Sequence, residues 1–352
     1  MTILITGVAG FVGSNIARYI REYHHDISLL GIDNLSRRGS EFNLGLLKSI
    51  GCKFYHGDVR SMEDVDDLPP VDWVIDCAAN PSVLAGLEGS SLRLLNNNLI
   101  GSINLLEKCK REHAGFVMLS TSRVYSISDL INIPLRVGNG RFNIDGKYFP
   151  KGLSELGITE EFSTSSPISL YGASKLASEI LALEYHYTFG FPVFINRCGV
   201  IAGAGQFGKI DQGIFSFWIY NWITNRPLAF IGFNGTGHQV RDFFCPDDLS
   251  RLILLQIASP DKKVSKIMNV GGGLDNSMSL QELNNYCQDR FGFVKEVSVT
   301  STNRKFDIPF YVTDNSLVES KWGWKPEVNK IQILNGICDW AIKNKVMIES
   351  GF

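Results

Sequence analysis

The stretch that most restricts this chain lies at its start. Ile3-Leu4-Ile5-Thr6 reads as a short buried strand and runs straight into Gly7-Val8-Ala9-Gly10-Phe11-Val12-Gly13, then a helical run from Ser14 to Tyr23. Glycines at that spacing permit a tight strand-to-helix turn, over which a pyrophosphate can approach backbone N–H groups at the helix N-terminus. The pattern is Gly-x-x-Gly-x-x-Gly, so a plain structural turn competes until a second strand is found. Ile27-Ser28-Leu29-Leu30-Gly31-Ile32-Asp33 supplies it. Asp33 stands 20 residues after Gly13, where a dinucleotide fold places the acid that takes the ribose 2′-hydroxyl. A carboxylate there repels a 2′-phosphate. Arg37 and Arg38 argue for NADP, but Asp33 carries more weight, and NAD is the expected cofactor.

Further strands are expected at Lys53-Phe54-Tyr55-His56, Trp73-Val74-Ile75-Asp76-Cys77, Phe116-Val117-Met118-Leu119, Val193-Phe194-Ile195-Asn196-Arg197 and Met268-Asn269-Val270-Gly271. The strand ends Gly57-Asp58-Val59, Ala78-Ala79-Asn80 and Ser120-Thr121-Ser122 fall where such a sheet meets its ligand, and a helix follows over Ser102 to Glu112. Alternating strands and helices give an α/β class, a Rossmann doubly wound parallel sheet with a smaller substrate-binding α+β domain. Residues 1–197 are assigned to the cofactor domain, joined by 242–272, and 198–352 to the substrate part. With 352 residues, 44% hydrophobic, the chain can bury a large core.

Tyr171 and Lys175 lie four apart at the head of a helix-forming run, so both share one helix face. A nearby ammonium favours phenolate, which makes the tyrosine a usable general base. Tyr-x-x-x-Lys also occurs by chance on amphipathic helices; here it has company. Gly7-x-x-Gly10-x-x-Gly13, Asp33, Asp58, Ala78-Ala79, Asn98, Thr121 and Tyr171-x-x-x-Lys175 fall in the order of the extended short-chain dehydrogenase/reductase superfamily, which the chain resembles from residue 3 to the Trp322-Gly323-Trp324-Lys325-Pro326 segment. Within it the chain is similar to the nucleotide-sugar epimerases. Thr121, Asp211-Gln212-Gly213 and Gly237-His238-Gln239-Val240-Arg241-Asp242 carry a likeness to the CDP-paratose 2-epimerase subfamily, from which the 197–203 loop and the long 126–170 stretch depart.

The resemblance implies that Thr121, Tyr171 and Lys175 are catalytic. It also implies that NAD is held by Gly7, Gly10, Phe11, Val12, Gly13, Asp33, Asn34, Ser36, Arg37, Asp58, Val59, Ala78, Ala79 and Asn98, with Tyr171 and Lys175. Ser122, Arg123, Gln206, Gln212, Arg241 and Arg304 are expected at a nucleotide-sugar substrate; a surface salt bridge to Asp242 competes for Arg241. The family's dehydratases carry Asp-Glu after the threonine, and its decarboxylases a glutamate where Arg123 stands. Neither carboxylate is present, so transient oxidation of the sugar and re-reduction on its other face is expected. UDP-sugar 4-epimerisation is the alternative, and a cofactor-binding regulator without turnover the competing class.

Other expectations are narrower. Residues 126–170, with a hairpin around Gly138-Asn139-Gly140, form either a flap over the sugar site or a surface excursion or dimer contact. Trp218 and Trp222 are packing, and Asp247 and Asp248 favour a helix N-terminus. Apolar positions Leu99, Ile103, Leu106, Leu176, Ile180 and Leu183 suggest a homodimer through two helices. A net charge of −2 excludes an electrostatic nucleic-acid binder. Seven scattered cysteines without Cys-x-x-Cys, and six histidines without His-x-x-x-His, give no metal site and indicate a reducing, cytoplasmic setting. The absence of an apolar stretch of about 18 residues excludes a membrane span, and the N-terminus lacks the basic start of a signal peptide.

Overall fold

The computed structural model describes residues 1–87, 89–209, 212–262 and 266–350. Seven parallel strands form the main sheet, in the order Ile267–Val270, Val193–Cys198, Gly115–Thr121, Trp73–Asp76, Thr2–Thr6, Ser28–Asp33 and Lys53–His56. The order reverses at Thr2–Thr6 and Trp73–Asp76, which opens a crevice above their C-terminal ends. Gly115–Thr121 is buried along its whole length, as a central parallel strand covered on both faces must be. One face packs on Phe11–Tyr23 and Pro246–Ala258 through Ile16, Ile20, Leu249 and Leu252. The other packs on Gly101–Glu112 and Ser169–Phe189 through Leu105, Leu106, Cys109 and Ala182. Leu106 therefore faces the sheet and is no dimer contact; Leu99, Ile103, Leu176 and Leu183 are half-buried, and Ile180 is exposed.

Asp247 and Asp248 occupy the first turn of Pro246–Ala258, but neither caps it. Asp247 pairs with Arg18. Buried Asp248 accepts the backbone N–H groups of Glu327 at 2.9 Å and Val328 at 3.2 Å, pinning the Trp322–Pro326 segment. Beyond residue 198, a smaller sheet sets Val240–Phe244 between Val200–Ile201, Ser277–Ser279 and Phe310–Tyr311. Trp218, Trp222, Leu283, Leu334 and Ile337 form its core.

Residues 126–170 do contain the hairpin, Leu135–Gly138 against Arg141–Ile144. It is not a flap: none of the segment's described residues lines either cavity described below. Nor is it a loose excursion. Phe142 N donates to His238 O at 3.0 Å and Ile158 N to Val312 O at 2.8 Å. Ile127, Leu130, Leu153 and Phe162 share an apolar cluster with Val240, Phe310 and Val312. The segment is a strap that ties the main sheet to the smaller one. Among the described residues, no helix is long and apolar enough to cross a membrane, and no three metal-ligating side chains cluster.

Candidate active site

The glycine turn adopts the geometry its spacing suggests. Gly7 has φ +59°, and Gly10 N donates to Gly7 O at 2.9 Å. A Cβ at Gly13 would stand 2.4 Å from Gly7 O and 2.8 Å from Val8 Cα, so only glycine lets the helix start this close to the strand. No side chain caps Phe11–Tyr23, leaving its first-turn N–H groups for a ligand. Asp33 closes the cradle: Oδ2 accepts Ala9 N at 3.0 Å and Oδ1 accepts Leu35 N at 2.8 Å. Burial pushes its carboxyl above the usual range, and these N–H groups pull it back.

Gly7, Gly10, Phe11, Val12, Gly13, Asp33, Asn34, Ser36, Arg37, Val59, Ala78 and Ala79 all line one cavity of about 360 Å³, with Thr121, Ser122, Arg123, Tyr171, Gln206 and Gln212. Three expected residues stand behind it. Asp58 is engaged by Asn34 Nδ2 at 2.8 Å and by Arg60, which holds its carboxyl down at about 2. Asn98, on a π-helical turn over Asn96–Ile100, accepts Asn80 N at 2.8 Å and donates to Ser174 Oγ at 3.1 Å, joining a cavity loop to the Tyr171 helix. Lys175 is 1% exposed. Arg37 donates to Phe207 O at 2.9 Å and to Gln212, so it bridges to the 206–213 loop.

Thr121 ends its strand and Tyr171 stands in the first turn of Ser169–Phe189; both are buried and both line the same cavity. Burial pushes the phenol up; the Thr121 hydroxyl and the Arg123 guanidinium pull it down. Lys175 lies near enough to the thiols of Cys77 and Cys198 to oppose in part the rise that burial gives them. Its Nζ has no protein hydrogen bond among the described residues.

A second cavity, about 300 Å³, adjoins the first and shares Arg123, Gln212, Val83, Val200 and Gly213 with it. Arg241 and Arg304 line its polar end; Phe215, Trp218, Leu228 and Met278 its apolar end. Trp218 is thus a wall as well as packing. Arg241 pairs with Asp307 at 3.3 Å and not with Asp242, because neighbouring residues of a strand point to opposite faces. Burial and the nearby Arg123 bring its guanidinium down to about 10. An anion between the two arginines would relieve both effects. Gln206 gives its amide to Ile201 O at 2.9 Å and accepts Ser216 Oγ at 3.0 Å, which makes it a brace of its loop. Asp211 lies outside the described residues.

Sequence reasoning missed Gln239, whose buried Oε1 has no partner although the side chain lines the second cavity. It also missed the ion pair beneath Thr121. Glu179 and Arg197, 1% and 5% exposed, meet at 2.7 Å and recruit Ser120, Tyr125 and Asn269. No spacing rule links residues on separate elements; the only signal was two charges inside otherwise buried runs.

The glycine cradle, the Asp33 rim and an unpartnered buried ammonium at Lys175 fit a dinucleotide. The profile of the NAD dependent epimerase/dehydratase family matches residues 3–271. CDP-paratose 2-epimerase of Salmonella typhi is 30% identical over 97% of this chain and 99% of its own. UDP-glucuronate 4-epimerase of Thermodesulfobacterium geofontis is 28% identical, over 99% and 98%. The crystal structure of UDP-glucuronic acid 4-epimerase from Bacillus cereus, with UDP-glucuronic acid and NAD, superposes at TM-score 0.76 and 23% identity, covering 97% of this chain and 99% of that one.

Proposed function

The chain belongs to the NAD dependent epimerase/dehydratase family and takes NAD as cofactor, and from that premise we propose that it is a nucleotide-sugar epimerase. One observation carries this reading over dehydration. Among the described residues lining the cavity that holds Thr121 and Tyr171, Asp33 is the sole acid, and it belongs to the glycine cradle. Water loss needs a further acid and base beside the sugar; inversion needs only a group that takes and returns one proton.

NAD, when bound, supplies a reversible hydride acceptor, which lets a hydroxyl-bearing carbon become a carbonyl and return with either hand. Tyr171 Oη takes the proton of that hydroxyl and gives it back after the keto-sugar has turned over. Thr121 Oγ1 holds the same oxygen. Lys175 holds the nicotinamide-side ribose, Asp33 the adenosine-side ribose, and Gly7, Gly10 and Gly13 admit the pyrophosphate. Arg241 and Arg304 grip the substrate's diphosphate, for which the guanidinium fork is suited. Ser122, Arg123 and Gln212 border the sugar, where the two cavities meet.

A CDP-sugar is the favoured substrate, supported by the 30% identity to CDP-paratose 2-epimerase; a UDP-sugar 4-epimerisation is the second reading, supported by the 28% relative. Incubating the protein with CDP-, UDP-, GDP- and dTDP-sugars tests it. The expected product is an epimer of unchanged mass, and a product lighter by one water contradicts the reading. Residues 1–197 with 242–272 serve as the cofactor part and 198–352 as the substrate part. Exposed Leu92, Ile100 and Ile180 on the helices beside the sheet support a homodimer, which light scattering at micromolar concentration checks; a monomer there would rule it out.

A further inference from the structure

Two loops meet across the crevice that holds the cofactor cradle. One, residues 34–43, follows the strand Ser28–Asp33; the other, residues 202–213, follows Val193–Cys198 and Val200–Ile201. Three strands of the main sheet lie between their parent strands, a span of about 19 Å at the usual strand spacing. The ends of those three strands lead into Gly7, Ala78 and Thr121, and all three residues line the cofactor cavity. The two loops nevertheless touch. Arg37 donates through Nη1 to Gln212 Oε1 and through Nη2 to Phe207 O at 2.9 Å. Gly39, with φ +98°, lies so close to Phe207 that a Cβ there would stand 2.6 Å from its ring. Ser36, Arg37 and Ser40 on one side and Gln206, Phe207 and Gln212 on the other line the same cavity. Parallel strands present their C-terminal ends at one edge, so the bridge between the loops arches over the cradle.

Each loop is anchored on its own side. Ser40 N donates to Arg37 O at 3.0 Å and Gly39 N to Glu41 Oε2 at 2.8 Å, which stiffens the turn that presents the guanidinium. Opposite, Tyr220 Oη donates to Gln206 O at 2.8 Å, and the Phe207 ring packs edge-on against Trp340 at 6.2 Å. A guanidinium is a planar fork of donors, so its two bonds fix direction as well as distance. Both join protein atoms only and need no ligand to form. We propose that residues 34–43 and 202–213 form a clasp over the cofactor, closed by Arg37, which must open for NAD to enter or leave. Arg37 is thereby a positioning residue that acts through Gln212 and Phe207. Such a clasp suits a reaction in which the hydride taken from the sugar returns to it, because the reduced cofactor must stay in place while the keto-sugar turns over. Gln212 also lines the second cavity, which puts the clasp beside the substrate. The clasp rests on NAD binding alone; its use in turnover rests on the epimerase reading.

The test follows displacement of fluorescent NADH from the loaded enzyme by excess NAD, with no sugar present. Arg37→Met, which keeps the stem and removes the fork, is expected to release NADH about tenfold faster or more, the effect usual for hydrogen bonds made by a charged group. Gln212→Leu is expected to speed release as well, and the double variant to be no faster than Arg37→Met, because both changes open one clasp. Arg38→Met, at the exposed neighbouring position, is expected to release at the wild-type rate. Unchanged release in Arg37→Met overturns the inference. So does faster release in Arg37→Met with none in Gln212→Leu, or additive effects in the double variant, since either pattern belongs to a direct contact between Arg37 and the cofactor. Equal acceleration in Arg38→Met overturns it too, because the charge of the loop and not the clasp would then be responsible. Where Arg37→Met does not fold, Gln212→Leu decides, and unchanged release there overturns the inference. Failure of the epimerase reading shows separately, as a product lighter by one water or no turnover with any nucleotide sugar, whereas wild-type release rates in the variants sink only the clasp.

Discussion

Replacing Glu179 by glutamine keeps its shape but removes the charge that Arg197 is buried against. The carboxylate accepts Arg197 Nη2 at 2.7 Å and Nε at 3.1 Å, and the arginine is 5% exposed. An uncompensated buried charge costs about 3–5 kcal/mol, a loss of roughly 5–10 °C in melting temperature for a chain of this size. The double variant Glu179→Leu with Arg197→Met removes both charges, and apolar replacement of a buried pair is often near neutral. It is therefore expected to recover at least half of the loss, a coupling that a double-mutant cycle isolates. Ser120, which also binds Glu179, precedes Thr121, so kcat should fall in Glu179→Gln while NAD is retained. Thermal melts of the wild type, Glu179→Gln, the single variants Glu179→Leu and Arg197→Met, and the double variant, all at one protein concentration, provide the assay. A Glu179→Gln shift below about 2 °C, or a double variant no better than the worse single one, would refute the claim that the pair holds the sheet to the catalytic helix.

Gly13→Ala places its Cβ 2.4 Å from Gly7 O; overpacking of about 1–3 kcal/mol predicts a loss of about 10- to 100-fold in NAD affinity, read by calorimetry. Tyr171→Phe should fold and keep NAD yet lose about 10²- to 10⁴-fold in turnover, because only the proton-transfer group goes. Asp242, fully buried with Oδ1 unpartnered, has its carboxyl pushed up to about 6 by burial. Between its unfolded value near about 4 and that folded value the native state binds more protons, so stability falls as pH rises and then levels off, by about 3 kcal/mol in all. Asp242→Asn should flatten that slope in melts taken across the window, and an unaltered slope would show that Asp242 is not its source.

The sequence exposes what local pattern encodes. The main-sheet strands inside the edge strand Lys53–His56 are short, mostly apolar runs, the glycine turn is fixed by spacing, and Asp33, Thr121 and Tyr171 arrive at strand ends or a helix start. Pairings between distant segments are a different matter. Asp242 is the acid next to Arg241 in sequence, but strand alternation sends it into the core and leaves Asp307 as the partner. Residues 126–170 show their hairpin through Gly138-Asn139-Gly140, but their strap role depends on a shared cluster with Val240 and Val312, which lie far along the chain beyond the segment's end. The resemblance to a family brought Asn98 forward without its position behind the cavity, a position the π-helical turn creates.

Transient oxidation by a bound cofactor, with Tyr171 moving only the hydroxyl proton, is the central claim. Turnover on the accepted nucleotide sugar in deuterium oxide, followed by mass analysis of the product, tests it most directly. Hydrogen at the inverted carbon should return without exchange, leaving that carbon free of deuterium. Deuterium there in most product molecules would mean that the carbon loses its hydrogen to solvent as a proton, and the assignment of Thr121, Tyr171 and Lys175 would fall with it.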